Sequence, residues 1–230
     1  MNETHELLLT FLQHPTESVR VDYKAAVRFE EGSDFAIKLV KHCLGFANSG
    51  GGYLVVGFKE GTNGLLIPDS ALADAVSKSY EVTRLAQHVN SFILGQDSIE
   101  LIVHKLEFLG RHYPIISIRA FTKRPLFCGK TVRSQDGSEE ILRKGAVYIR
   151  TREAKTTVVA GPGDWDALID ACVVAHRDEF VQAQKALLDQ YFKPVVTTDQ
   201  NPSPMQWIED TRAAARRLAV PGSGRNSQDG

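Results

Sequence analysis

Two stretches decide how this chain folds: Glu17-Ser-Val-Arg-Val-Asp22-Tyr-Lys24, and Gly45-Phe-Ala-Asn-Ser-Gly-Gly-Gly-Tyr-Leu-Val-Val-Gly-Phe58. The first alternates, with Val19, Val21 and Tyr23 on one side and Ser18, Arg20, Asp22 and Lys24 on the other, which predicts a strand. The second closes a helix and opens another strand. Gly32-Ser33 starts that helix, and Phe35, Ile37, Leu39, Val40, Leu44 and Phe46 recur at helical spacing. Gly50-Gly-Gly52 supplies the left-handed stop, and Tyr53–Phe58 reads as a buried strand ended by the turn Glu60-Gly-Thr-Asn-Gly64.

Outward from this centre, Thr4 caps a first helix with Leu7, Leu8, Phe11 and Leu12 on one side, stopped by Pro15. Helices are expected over Ser70–Lys78 and Thr83–Leu94, the latter capped by Thr83. Ser98–Phe108 and Tyr113–Ile118 form a hairpin around Gly110. Leu126–Cys128, Ile141–Leu142 and Ala146–Thr151 are short strands. Asp164 caps a last helix toward Phe192, with a break near Ala175. This order reads as one α+β domain over residues 1–192, followed by a tail, 193–230, with a short Arg/Ala helix at Gln206–Ala219.

The 230 residues are 43% apolar and 24% charged with net charge -1, the balance of an ordinary globular protein. No apolar run reaches the ~20 residues of a membrane helix, and the first residues are acidic and unlike a signal peptide. The chain therefore reads as soluble and cytoplasmic. Three cysteines without a CxxC pair argue against a disulfide framework and a cysteine zinc site, and seven histidines without HxxxH or HExxH spacing against a histidine metal site. Gly129-Lys130-Thr131 lacks the earlier glycine of a phosphate loop, since Arg124 stands there, and reads as a turn. Charge is uneven: Lys105–Lys155 holds 12 lysines and arginines against 5 acidic residues. Such a stretch can hold phosphates in a chain that is neutral overall.

Glu17 precedes the first strand, Asp22 lies on its polar face, and Glu60 ends the strand after the helix. If the two strands are neighbours, three carboxylates converge with Lys24 between them. Carboxylate oxygens suit Mg²⁺ or Mn²⁺, and a cation at phosphate activates water and stabilises developing charge.

The same residues resemble the Schlafen AlbA-like domain, whose pattern is roughly E-S-x-x-x-E-F-K, then A-F-A-N-T-x-G-G, a hydrophobic strand and G-V-x-D. Lys144-Gly-Ala-Val-Tyr-Ile-Arg150 with Thr156 resembles its closing segment. The resemblance covers about residues 15–175 and implies a mixed β-sheet with flanking helices. It places the acidic trio of the nuclease members on Glu17, Asp22 and Glu60, with Asp22 where Glu is usual, Glu60 where Asp is usual, and Lys24 matching directly. The function it implies is a metal-dependent endoribonuclease acting on structured RNA such as tRNA, with Mg²⁺ or Mn²⁺ as cofactor. Lys123, Arg124, Arg143, Lys144, Arg150 and Arg152 would contact the RNA backbone. A noncatalytic nucleic-acid-binding or regulatory module is the alternative, and a domain that assembles with a regulatory protein partner is a third. Family nucleases face two lobes across a groove. This chain has length for one lobe, so a homodimer is expected.

Overall fold

The structure, a computed structural model, describes residues 3–191 and residue 209. The chain divides into two compact units, Met1–Ala183 and Gln184–Gly230. In chain order the elements are α1 (Glu3–Gln13), β1 (Val21–Lys24), α2 (Asp34–Asn48), β2 (Gly52–Val56), β3 (Phe58–Glu60), β4 (Leu66–Pro68), α3 (Asp74–Ser79) and α4 (Val82–Asn90). They continue with β5 (Leu101–Phe108), β6 (Arg111–Ile118), β7 (Val132–Arg133), β8 (Glu140–Leu142), β9 (Tyr148–Arg150), β10 (Thr156–Val158) and α5 (Pro162–Tyr191).

A four-stranded mixed sheet in the order β1-β2-β6-β5 lies at the centre. β1 runs parallel to β2, with Asp22 opposite Leu54, and the remaining pairs are antiparallel. Both faces of the sheet are covered. Val21, Tyr23, Val55 and Ile115 pack with Leu8 and Leu12 of α1. Leu54, Val56, Ile116 and Ile118 pack with Leu39, Val40, Leu44 and Phe46 of α2. The side of β1 that carries Asp22 therefore meets α2, and Asp22 is buried at 3% exposure instead of facing water.

Ser33 caps α2 through its hydroxyl, which accepts from the Ala36 amide. The helix ends where Gly51 N–H donates to Phe46 O, with Gly50 and Gly51 at φ +88° and +85°. At Gly52 a Cβ would lie 2.6 Å from the Arg20 carbonyl and against the Phe46 ring, so only glycine lets β2 start beside β1. The side chain before this turn ties it down. Asn48 is 2% exposed; its Nδ2 donates to Leu126 O (2.9 Å) and Tyr148 O (3.0 Å), and its Oδ1 accepts from Leu126 N–H (2.7 Å).

Several local expectations change. The strand expected over Tyr53–Phe58 is cut at Gly57, whose φ is +110°, and Phe58–Glu60 leaves the central sheet to pair with β4. α4 is capped by the Glu81 carboxylate, which accepts from Thr83 and Arg84 N–H, and not by Thr83. α3 begins four residues later than expected, because Asp69 Oδ1 accepts from Ala71 N–H and holds 69–71 in a turn. Among the described residues, Leu126–Cys128 makes a single bridge, Cys128 with Ile93. α5 continues past Ala175, since residues 164–191 contain neither Gly nor Pro. The expected tail helix lies outside the described residues, residue 209 apart.

Candidate nucleic-acid interface and buried charge cluster

Asp22 is the centre of a cluster drawn from three parts of the chain, β1, α2 and β9. Lys24 Nζ stands 2.6 Å from its Oδ2 as an ion pair, Arg150 Nη2 is 3.7 Å from its Oδ1, and His42 Nδ1 is 3.6 Å from Oδ2. The Arg150 side chain is fully buried. Its Nη2 donates to Ser18 O, its Nη1 to Thr156 Oγ1, and its guanidinium stacks 4.6 Å over the Phe46 ring. Its backbone N–H donates to Ser49 Oγ, which locks β9 to the end of α2. Arg150 was expected to touch RNA. Its burial corrects that: it is the internal counter-charge of Asp22.

His42 shares a hydrogen bond of 3.1 Å with Thr156 through Nδ1. Burial, followed by the charge of Lys24, lowers its pKa to about 3, outweighing the attraction of Asp22. The ring is neutral at pH 7. An unfolded histidine takes its proton near 6.5, so acid favours unfolding, and this stability is present above 6.5 and lost as the pH falls toward 3. Between pH 7 and pH 5 the loss is about 2 kcal/mol. Urea midpoints of the native chain and the His42→Gln variant check this. Their difference should shrink at pH 5, and parallel pH profiles would refute it.

Glu17 lies in the turn before β1, where the Ser18 hydroxyl accepts from Arg20 and Val21 N–H. Partial desolvation and then the charge of Asp22 raise its pKa, against Lys24, the Tyr23 amide and Arg150. Glu17, Lys24 and Glu60 line one cleft of about 540 Å³, together with Tyr23 and Phe58. Glu60 is exposed there, because the break at Gly57 carries it away from the sheet. Among the described residues, no three His, Cys, Asp or Glu side chains are grouped so as to hold a metal ion. Glu17 and Asp22 offer a partial fit: Glu17, its pKa raised in part by Asp22, and the buried Asp22 carboxylate, whose Oδ2 a metal would share with Lys24. The expected three-carboxylate set is not assembled.

Of the other expected phosphate contacts, Lys123, Arg124, Arg143, Lys144 and Arg152 are exposed. Arg124 pairs with Asp97 and Arg143 with Glu140. Lys123, Lys144 and Arg152 form no ion pair among the described residues. Lys130, in the sequence that resembled a phosphate loop, lies 4.4 Å over the Phe92 ring. Sequence reading missed His42 as a member of the cluster. The available signal was its place on α2, three residues after Leu39 and four before Phe46, on the core side.

A mixed sheet between α1 and α2, closed by the glycine turn and pinned through Asn48 and Arg150, defines an α+β domain of the AlbA-like class. Residues 17–159 match the family described as Schlafen, AlbA_2. The chain belongs to that family. No curated protein matches it. Several solved structures are similar to it, and two illustrate the likeness. One is the DIP2311 protein from Corynebacterium diphtheriae, at 16% identity and TM-score 0.43, covering 72% of this chain and 29% of that one. The other is the N-terminal domain of a RecG-related protein from Nitrosomonas europaea, at 18% identity and TM-score 0.38, covering 57% of this chain and 84% of that one. The chain thus spans less than a third of the length of DIP2311. Among the described residues no helix is long and apolar enough to cross a membrane.

Proposed function

We propose that this chain binds structured RNA through its phosphate backbone, working as two copies that supply two walls of a groove. Family membership supports a nucleic-acid-related role, and the observation that carries the reading is the free set of cations. Lys123, Lys144 and Arg152 are exposed and lack ion pairs among the described residues, so no internal acid must be displaced before they meet phosphate. Arg124 and Arg143 can join them by exchanging a surface carboxylate for phosphate, at little cost.

A second reading, metal-dependent endoribonuclease, is favoured by the cleft that Glu17, Lys24 and Glu60 share. Mg²⁺ or Mn²⁺ held by Glu17 and Asp22 would supply water activation and charge stabilisation. Lys24, 26% exposed and anchored on Asp22, would present a cation to the phosphate.

One experiment tests both readings. Fluorescence anisotropy of labelled tRNA against salt should show a steep loss of affinity. The triple variant Lys123→Ala, Lys144→Ala, Arg152→Ala should weaken binding and lower the salt slope by about 6, three cations from each of the two copies. An unchanged slope would refute the binding reading. The same samples with Mn²⁺, run on a denaturing gel, decide cleavage. Cutting that stops with EDTA and in Glu17→Gln supports the nuclease, whereas intact tRNA under all metals leaves binding alone.

A further inference from the structure

β5 is an edge of the central sheet, eight residues long and, among the described residues, paired only with β6. The two-residue turn at Leu109 and Gly110, with φ of 50° and 70°, makes Phe108 and Arg111 a hydrogen-bonded pair. The pattern repeats every second residue, and Glu100 O accepting from Arg119 N–H continues it at the other end. Even-numbered residues of β5 therefore direct their backbone groups toward β6. Leu101, Val103, Lys105 and Glu107 direct theirs outward, where no hydrogen bond among the described residues reaches them. An open edge of this length is a template for another strand.

We propose that this edge is where the second copy docks. The two β5 strands pair antiparallel about a twofold axis, joining two four-stranded sheets into one of eight. The proposal rests on the two-copy reading given above. Backbone geometry restricts the register, because only outward-facing residues can exchange hydrogen bonds with outward-facing residues. Charge then selects among the registers that remain. Centring on Lys105 sets Lys105 against Lys105, centring on Glu107 sets Glu107 against Glu107, and centring on His104 sets Lys105 against Val103. Centring on Leu106 sets Lys105 of each copy opposite Glu107 of the other, twice by symmetry. In that register Leu109, which is 70% exposed, comes beside half-buried Val103 of the second copy. The lysine that would repel an unrelated strand thus favours a copy of itself.

Light scattering after size exclusion should give the native chain a mass near twice the 25.4 kDa of one chain. Lys105→Glu and Glu107→Lys, both at exposed positions, should each give single chains with an unchanged circular dichroism spectrum. Mixing the two variants should restore the double mass, because the Lys105→Glu copy carries two glutamates where the Glu107→Lys copy carries two lysines. A native chain at single mass overturns this inference and the two-copy reading together. A double mass that survives in either variant, or a mixture that stays single, overturns only the β5 pairing.

Discussion

Replacing Asp22 with alanine lowers the stability of the chain by about 3 to 5 kcal/mol. The cause is what remains behind. Lys24 is 26% exposed and can turn to water, but the Arg150 side chain has no exposure and cannot. Without Asp22 its guanidinium keeps Ser18 O, Thr156 Oγ1 and the Phe46 ring, and loses its nearest buried negative charge. A buried cation without an anion is the costly half of a broken pair. Reading the acids as ligands alone predicts that neutral substitutions at Glu17, Asp22 and Glu60 leave stability nearly intact. The structure keeps that expectation for Glu17 and Glu60, which are exposed, and withdraws it for Asp22. A double-mutant cycle with Arg150→Met measures the coupling. The double variant should be more stable than the sum of the single losses allows, by about 1 to 3 kcal/mol. Urea unfolding that gives additive losses, or an Asp22→Ala loss below about 1 kcal/mol, refutes this account.

The second large effect lies at Asn48. Asn48→Ala deletes three buried hydrogen bonds at once and leaves Leu126 N–H without its acceptor, and Leu126 O and Tyr148 O without a donor. A buried group left unsatisfied costs about 1 to 3 kcal/mol, and water entering the vacated space offsets part of it. The expected net loss is about 3 to 5 kcal/mol. Asn48→Asp is the sharper control, because its carboxylate still accepts from Leu126 N–H but opposes two carbonyls with negative charge. It should be no better than alanine at neutral pH and should recover in acid. An alanine variant with a native urea midpoint would show that the clamp is dispensable.

These two residues mark where sequence reading succeeds and where it stops. Alternation over residues 19–24 and the helix closed by three glycines place β1, α2 and β2 directly, because each follows from local spacing and backbone freedom. The parallel pairing of β1 with β2 brings Asp22 beside α2, as neighbouring strands require. Alternation does not reveal what covers each side of a strand. Asp22 is polar and buried because Arg150 arrives 128 positions later, and no local pattern announces that. Glu60 moved for the opposite reason: one glycine, Gly57, turns the chain within a run that looks like continuous strand. The exposed lysines and arginines were legible as a group from their density, whereas Arg150 among them was not, since burial depends on its partners rather than on its type.

The Arg150 contacts also bear on how the chain is made. Its side chain reaches Ser18 across 132 positions and its backbone reaches Ser49 across 101. During synthesis β1, α2 and β2 leave the ribosome long before Arg150 does, so Asp22 must wait without its buried partner. An amino-terminal piece can collapse around Leu39, Leu44 and Leu54, but the carboxylate then stays hydrated and keeps α2 from settling on β1. The final docking of α2 is postponed until about residue 158 has emerged, when β9 and β10 can close together. Folding of this domain is therefore late and all at once, with loop closure over most of its length setting the pace. A nascent chain that stalls before Arg150 leaves Asp22 without its buried counter-charge and α2 without β9 and β10, making it a substrate for chaperones and proteases rather than a half-built binder.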